Sequence, residues 1–170
     1  VKGPFEVYWN PGGGDLEVQL SPFLGRIAFT MSDQISTIED EFFGDTPVDA
    51  VPKGTLTEIG VPLTEPTYFK LATLLPGVEK LAGGKIRFSV RSGACSMYDA
   101  SKVLEFRPVC DFVEGTDVLK YIHIYHAYPY RDFDLGFDRE EQRIFMVKFI
   151  VFPSRESATY GKLYDFGQPA

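Results

Sequence analysis

Two cysteines and two histidines are all the thiol and imidazole that 170 residues offer. Cys95 and Cys110 form neither a C-x-x-C pair nor a disulfide framework, so a reducing compartment is expected. No apolar run approaches the roughly 20 residues of a membrane-spanning helix. The first residues lack the charged, apolar and small-residue succession of a secretory signal. A soluble, cytoplasmically made protein is the expectation. Internal repeats, low-complexity tracts and interdomain linkers are also missing, and the length suits a single domain over 1–170. Basic residues are outnumbered 17 to 24, for a net charge of −7. That balance disfavours sequence-specific DNA binding, which needs clustered Lys and Arg against phosphates. It leaves open a surface past which DNA slides.

The sharpest absence is local. Between Arg26 and Lys53 there is no Lys or Arg, while Asp33, Glu39, Asp40, Glu41, Asp45 and Asp49 place six acids there. The rest of the chain therefore sums to only −1. Phe42, Phe43, Gly44, Pro47 and Pro52 share the stretch, and apolar residues flank it on both sides. It reads as a long acidic loop, Asp33 to Pro52, between two strands. Long excursions in a compact domain are usually functional or disordered, and the paired Phe argue against disorder, because they need a surface to bury against.

What is present in quantity is aromatic: 15 Phe and 9 Tyr, with one Trp, suit strands and interfaces. Period-2 alternation dominates. Phe5, Val7 and Trp9 alternate with polar neighbours, Pro11 to Asp15 supplies a turn, and Leu16, Val18 and Leu20 return, which is a hairpin pattern. Ile27, Phe29 and Met31 make a third strand, and Thr55 to Val61 makes the one after the loop. Thr64-Glu65-Pro66 then opens a helix to Leu75, with Tyr68, Phe69, Leu71, Ala72 and Leu75 as its apolar stripe and Pro76-Gly77 as its stop. Strands resume with Ile86, Phe88 and Val90 opposite a basic face of Lys85, Arg87 and Arg91. Leu104, Phe106 and Cys110 follow, with Pro108 suggesting an edge or bulge. Lys120 to Tyr128 and the near-continuous apolar run Arg143 to Phe152 come next, then a short closing strand in Tyr160 to Phe166. The run 143–152 has the composition of a strand covered on both faces. The fold expected is mainly β: an antiparallel β-sandwich or open barrel with one flanking α-helix and a long inter-strand loop.

Chemistry is thinly signalled. His123 and His126 lie three apart on a strand, which should aim them at opposite faces and make them a poor metal pair. They read as ordinary strand histidines. Cys95 reads as a small buried hydrophobe. Gly12-Gly13-Gly14 lacks the Lys and helix start of a phosphate cradle, and Glu39, Asp40, Glu41 and Asp45 lack calcium-loop spacing. No G-x-S-x-G elbow occurs. No catalytic residue, metal site or cofactor is expected.

The order of segments says more than any one of them. A strand leads into Ile38-Glu39-Asp40-Glu41-Phe42-Phe43-Gly44-Asp45-Thr46-Pro47-Val48-Asp49. A Gly54-led strand then ends in Gly60-Val61-Pro62-Leu63-Thr64-Glu65-Pro66. One helix, further strands, Phe149-Ile150-Val151-Phe152-Pro153 and a terminal Gly161-Lys162-Leu163-Tyr164-Asp165-Phe166-Gly167 complete the series. This series resembles the tail tube (major tail) proteins of tailed bacteriophages. The resemblance implies a non-enzymatic virion protein, assembled in the host bacterial cytoplasm. Its hexameric rings stack head-to-tail into the conduit for DNA ejection. The partners implied are other copies, tail proteins at the tube ends, and the tape measure protein and DNA transiently in the lumen, with no membrane. It assigns Ile38, Glu39, Asp40, Glu41, Phe42, Phe43, Asp45 and Val48 to subunit contacts. Lys85, Arg87 and Arg91 are then the candidates to pair with a neighbour's acids, and Glu6, Glu17 and Glu105 to line the lumen. Two alternatives remain: another ring-forming tail component or secretion-tube-like protein of the same fold, and a ligand-binding β-barrel or enzyme. A concave pocket with convergent polar groups and a perturbed titratable residue would mark the latter.

Overall fold

A computed structural model describes residues 5–14, 18–20, 27–39, 41–42, 46–64, 68–89, 95–108, 121–130 and 144–167; for Thr64, Tyr68, Phe69, Ile144 and Phe145 it describes the backbone alone. Among the described residues, ten strands and one α-helix run in the order β1 Phe5–Trp9, β2 Val18–Leu20, β3 Ala28–Glu39, β4 Pro47–Thr64, α1 Tyr68–Leu74, β5 Val78–Lys80, β6 Ile86–Phe88, β7 Lys102–Pro108, β8 Ile122–Tyr130, β9 Ile144–Phe152 and β10 Tyr164–Phe166, with a short 3-10 turn at Ala82–Gly84 between β5 and β6. The expected mainly-β, antiparallel architecture is what forms. β2-β1-β7-β8-β9-β4-β3 make one sheet, β10 pairs with β8, and β5-β6 form a separate two-stranded sheet.

Alternation builds the core. Val7 and Trp9 on β1 meet Leu20 and Val18 on β2 in the expected hairpin register. They share one buried cluster with Leu104 and Phe106, Ile124 and Ala127, Val147, Phe149 and Val151, and Ile59, Val61 and Leu63. One contiguous core thus runs along a single face of the sheet from β2 to β4, as in an antiparallel sandwich or open barrel. The helix adds Leu71, Leu74 and Leu75 to the same cluster and sits against β2 and the β5-β6 sheet. Its buried face thus includes Leu74, whereas Ala72 is only half-buried. Residues 65–67 lie outside the described residues, and the helix ends at Leu74, one residue before the expected Leu75. Gly77, at φ 70°, allows the chain to turn out of it.

Four expectations change. Pro108 is not on an edge strand: β7 lies between β1 and β8. It is tolerated because the β7-β8 ladder stops at Phe106, so its missing N–H costs no bond there. The apolar run on β9 has one face in the core, but the other face, with Met146, Ile150 and Phe152, is half-buried. Part of its cover comes from the chain itself: the Tyr98 ring lies edge-on to Phe152 at 6.2 Å. Cys95 begins that covering segment and is exposed rather than buried.

The fourth change, the largest, is the acidic loop. Most of 33–52 is not loop. Asp33↔Thr55, Gln34↔Gly54, Ile35↔Pro52, Thr37↔Ala50 and Glu39↔Pro47 are rungs of a β3-β4 ladder, leaving 40–46 as the connection. The register slips between Gln34 and Ile35, where Gly54 adopts φ 149°. A side chain is poorly accommodated at that angle, so glycine suits the bulge.

Candidate assembly interface

The β3-β4 pair changes character at Thr57. From Thr57 to Leu63 β4 is paired with β9 and its core-facing residues are buried. From Pro47 to Leu56 it has no β9 partner and every residue is exposed. Those ten residues and their β3 partners Ser32 to Glu39 form a two-stranded ribbon that stands clear of the core. Its exposed side chains are not those of a solvated hairpin: Met31, Ile35, Ile38, Val48, Val51 and Leu56 are all exposed, Ile35 by 61 %, and Phe42 at the tip by 94 %. Ile35, Pro52, Thr37 and Ala50 share one face, while Val51 and Ile38 occupy the other. An isolated hairpin in water is marginal at best. Among the described residues, apolar side chains are exposed on both faces of the ribbon, the kind of surface that marks an interaction site.

The two ribbon edges are unequal. β4 carries Pro47, Pro52 and Lys53, the residues that blunt an open edge. β3 is the outer strand of the sheet among the described residues, and Ala28 to Glu39 contains no Pro, Lys or Arg. It is a twelve-residue edge without those safeguards.

The expected contact residues distribute as follows. Ile38, Glu39, Glu41, Phe42 and Val48 lie on the ribbon or its tip and are exposed. Lys85 and Arg87 lie on the β5-β6 sheet, also exposed, with Arg87 opposite Glu79. Asp40, Phe43, Asp45 and Arg91 are outside the described residues, as is Glu17. The structure thus gathers the first group and separates it from the basic pair. Two of the ribbon acids have local work: Asp33 accepts from the Thr55 hydroxyl at 2.8 Å, and Asp49 from the Ala50 N–H at 2.7 Å.

The outer face of the sheet holds a polar network that sequence reasoning missed. β8 carries one extra residue against β7: Leu104 pairs with Ile124, but Lys102 pairs with Ala127. This bulge turns both Tyr125 and His126 outward, so His123 and His126 share a face after all and line one hollow of about 330 Å³. Glu105, expected to be exposed, is only 7 % exposed. Its carboxylate takes Arg107 Nε at 3.0 Å and Nη2 at 2.7 Å, and pairs with His123 Nδ1 at 3.1 Å. Arg107 also stacks over the Tyr8 ring at 4.3 Å, and Tyr8 donates to the half-buried Glu6 at 2.7 Å. Glu105 is therefore a largely buried cross-strand tie rather than an exposed strand acid. A single extra residue on one strand carries no sequence signal, and neither does the cross-strand partner of Glu105, His123 on β8.

No protein-family model matches this chain, and no curated protein matches it in sequence.

The hollow is the place where ligand chemistry would show. Among the described residues, no group of three or more His, Cys, Asp or Glu side chains is arranged to hold a metal. His126 is engaged at both nitrogens. Ser101 Oγ spends its hydrogen on the Tyr98 carbonyl, so at 3.1 Å it accepts from His126 Nδ1–H. Tyr98 Oη accepts the Arg155 N–H, so its own hydrogen goes to His126 Nε2 at 3.2 Å. The neutral ring thus pins the 95–101 segment and the 153–163 loop onto β8. Burial pushes the His126 pKa down; the Arg155 charge acts the same way and Glu156 opposes it. Tyr125, bonded to Asp165, is pushed up to about 12.

Because the folded His126 holds its proton less tightly than the unfolded one, the unfolded chain protonates first on acidification. The stability contributed by the neutral ring is complete above the ordinary histidine value of about 6.5. It is lost as pH falls through that value towards the folded one. Urea unfolding at pH 8.0 and 5.5 should show a smaller midpoint loss for His126→Gln than for the native chain. Equal losses would place the acid sensitivity elsewhere.

Proposed function

We propose that this chain is a self-assembling structural subunit: copies close into hexameric rings that stack head-to-tail into the tail tube of a tailed bacteriophage, through which DNA travels. The observation that carries this reading is the ribbon, a two-stranded arm with apolar residues on both faces, a β3 edge without Pro, Lys or Arg, and no core of its own. A subunit that works alone gains nothing from such an arm and risks aggregation; one that polymerises uses it as contact surface. The half-buried outer face of β9 supports the same reading. So does the −7 net charge, since carboxylates along a bore repel phosphates within the roughly 8 Å over which charge acts at physiological salt. The hexameric number, the tube-end partners and the tape measure protein come from the sequence resemblance. Sedimentation velocity over a concentration series tests the reading: it should reveal a step from monomer to a ring-sized species and then to larger particles. A single monomeric boundary up to the highest concentration would count against it.

In this reading the basic pair Lys85 and Arg87 meets Glu39 and Glu41 of a neighbour. Exposed ion pairs are worth about 0–1 kcal/mol each and add register more than affinity. Raising salt should therefore weaken assembly modestly without dissolving it. Lys85→Glu with Arg87→Glu should raise the concentration needed for assembly several-fold, and Glu39→Lys with Glu41→Lys should partly restore it. Light scattering reads both, and an absence of rescue would break the proposed pairing.

A further inference from the structure

At the base of the ribbon, Phe5, Ile27, Phe29, Phe106, Ile122 and Phe166 enclose a cavity of about 340 Å³. All six are apolar, and Phe166 at its rim is 66 % exposed. An apolar cavity of roughly 150 Å³ is enough to hold a benzene ring. At the other end of the ribbon stands Phe42, 94 % exposed. From these two features we propose that Phe42 at the ribbon tip of one copy inserts into the basal cavity of the next. The inference rests on the reading of the chain as a self-assembling subunit, and it names the contact through which one copy finds another.

Geometry excludes the chain's own cavity. Phe29 is both a wall of the cavity and a rung of the ladder, paired with Ile59. From Phe29 to Glu39 the ribbon rises ten residues, about 33 Å, and Phe42 lies beyond. A strand pair held by rungs from Ala28↔Gly60 to Glu39↔Pro47 does not double back on its own base. The tip must therefore reach a different molecule. Tip and base are different surfaces, so the contact is head-to-tail: each copy that fills a neighbour's cavity leaves its own cavity for another, and growth has no built-in end. The step between successive copies follows from the ribbon length, on the order of 30–40 Å. An aromatic side chain seated in a pocket is also the usual form of an interface anchor.

Two measurements on the full chain test this. The first is disulfide trapping in a background with Cys95 and Cys110 replaced by Ser. Glu41→Cys, beside Phe42, and Phe166→Cys, on the cavity rim, are purified separately, mixed under assembly conditions and oxidised. The mixture should yield covalent dimers joining one variant to the other, and neither variant alone should. The second is Phe42→Ala, whose exposed position makes it a substitution the folded subunit tolerates. It should abolish the mixed dimer and raise the concentration needed for growth by about tenfold or more. Ile122→Trp, which fills the cavity from inside, should do the same, provided its circular dichroism matches the native chain. Native-chain tubes that form with no 41–166 dimer, and that form equally well with Phe42→Ala, would overturn this contact and leave the tube reading intact. So would Phe166→Cys dimers formed without the Glu41→Cys partner, since the cavities would then face each other. A native chain that never assembles would defeat both proposals together.

Discussion

Removing the ribbon should leave a folded subunit that no longer grows. Ser32 and Leu56 are a rung of the β3-β4 ladder. An Asn-Gly type I′ turn between them replaces Asp33 to Thr55 without disturbing the strands below. The described residues removed make no contribution to the buried core, whose first member on β4 is Thr57. The deletion also takes away six carboxylates and one ammonium, moving the formal net charge from −7 to −2. Circular dichroism and the thermal midpoint should stay close to those of the full chain. Light scattering should show no growth at concentrations well above those at which the full chain assembles. A shortened chain that unfolds would make the ribbon part of the core's stability. One that still polymerises would remove the ribbon from the assembly mechanism.

Phe149→Ala should do the reverse. Phe149 is fully buried on β9, with its core-facing side among residues of β4 and β8, and it pairs with Ile59 and Pro129. Truncating a buried Phe to Ala costs about 3–5 kcal/mol from lost transfer energy and the cavity left behind. In a chain of this size that corresponds to a fall of roughly 10 °C in the thermal midpoint. Assembly should fail because the subunit fails. The contrast between these two variants separates surface from core: one loses growth at constant stability, the other loses stability first. A Phe149→Ala chain with an unchanged midpoint would contradict the packing described for β9.

What could be read from the sequence follows burial closely. The β1-β2 hairpin was legible because one face of each strand is buried, so Val7, Trp9, Val18 and Leu20 must alternate, and the glycine-rich turn between them is unmistakable. The helix was legible in place and type, since Leu71, Leu74 and Leu75 repeat at helical spacing. The ribbon was not. Both its faces are exposed within the single chain, so nothing imposes an apolar/polar alternation, and its acids and prolines read as loop. Its extended pairing becomes visible only through the rungs that join it. The outer-face network was illegible for a different reason. The bulge at Tyr125 and His126 adds one residue and reverses the expected facing of a histidine, and Glu105 joins Arg107 on its own strand to His123 on the next. The covering segment around Tyr98 has no periodicity at all. The residues expected at a subunit contact were singled out by chemistry, clustered acids beside aromatics; Ile38, Glu39, Glu41, Phe42 and Val48 are exposed on the ribbon or its tip, although their local structure was read as loop.

Electron microscopy of the purified, full-length chain, concentrated stepwise and imaged in negative stain, tests the central proposal most directly. A tube subunit gives hollow rings or stacked tubes with sixfold end views, a central bore, and an axial repeat close to the ribbon's length. Fields of compact, monomer-sized particles at every concentration, with the ribbon intact and the chain folded by circular dichroism, would contradict it.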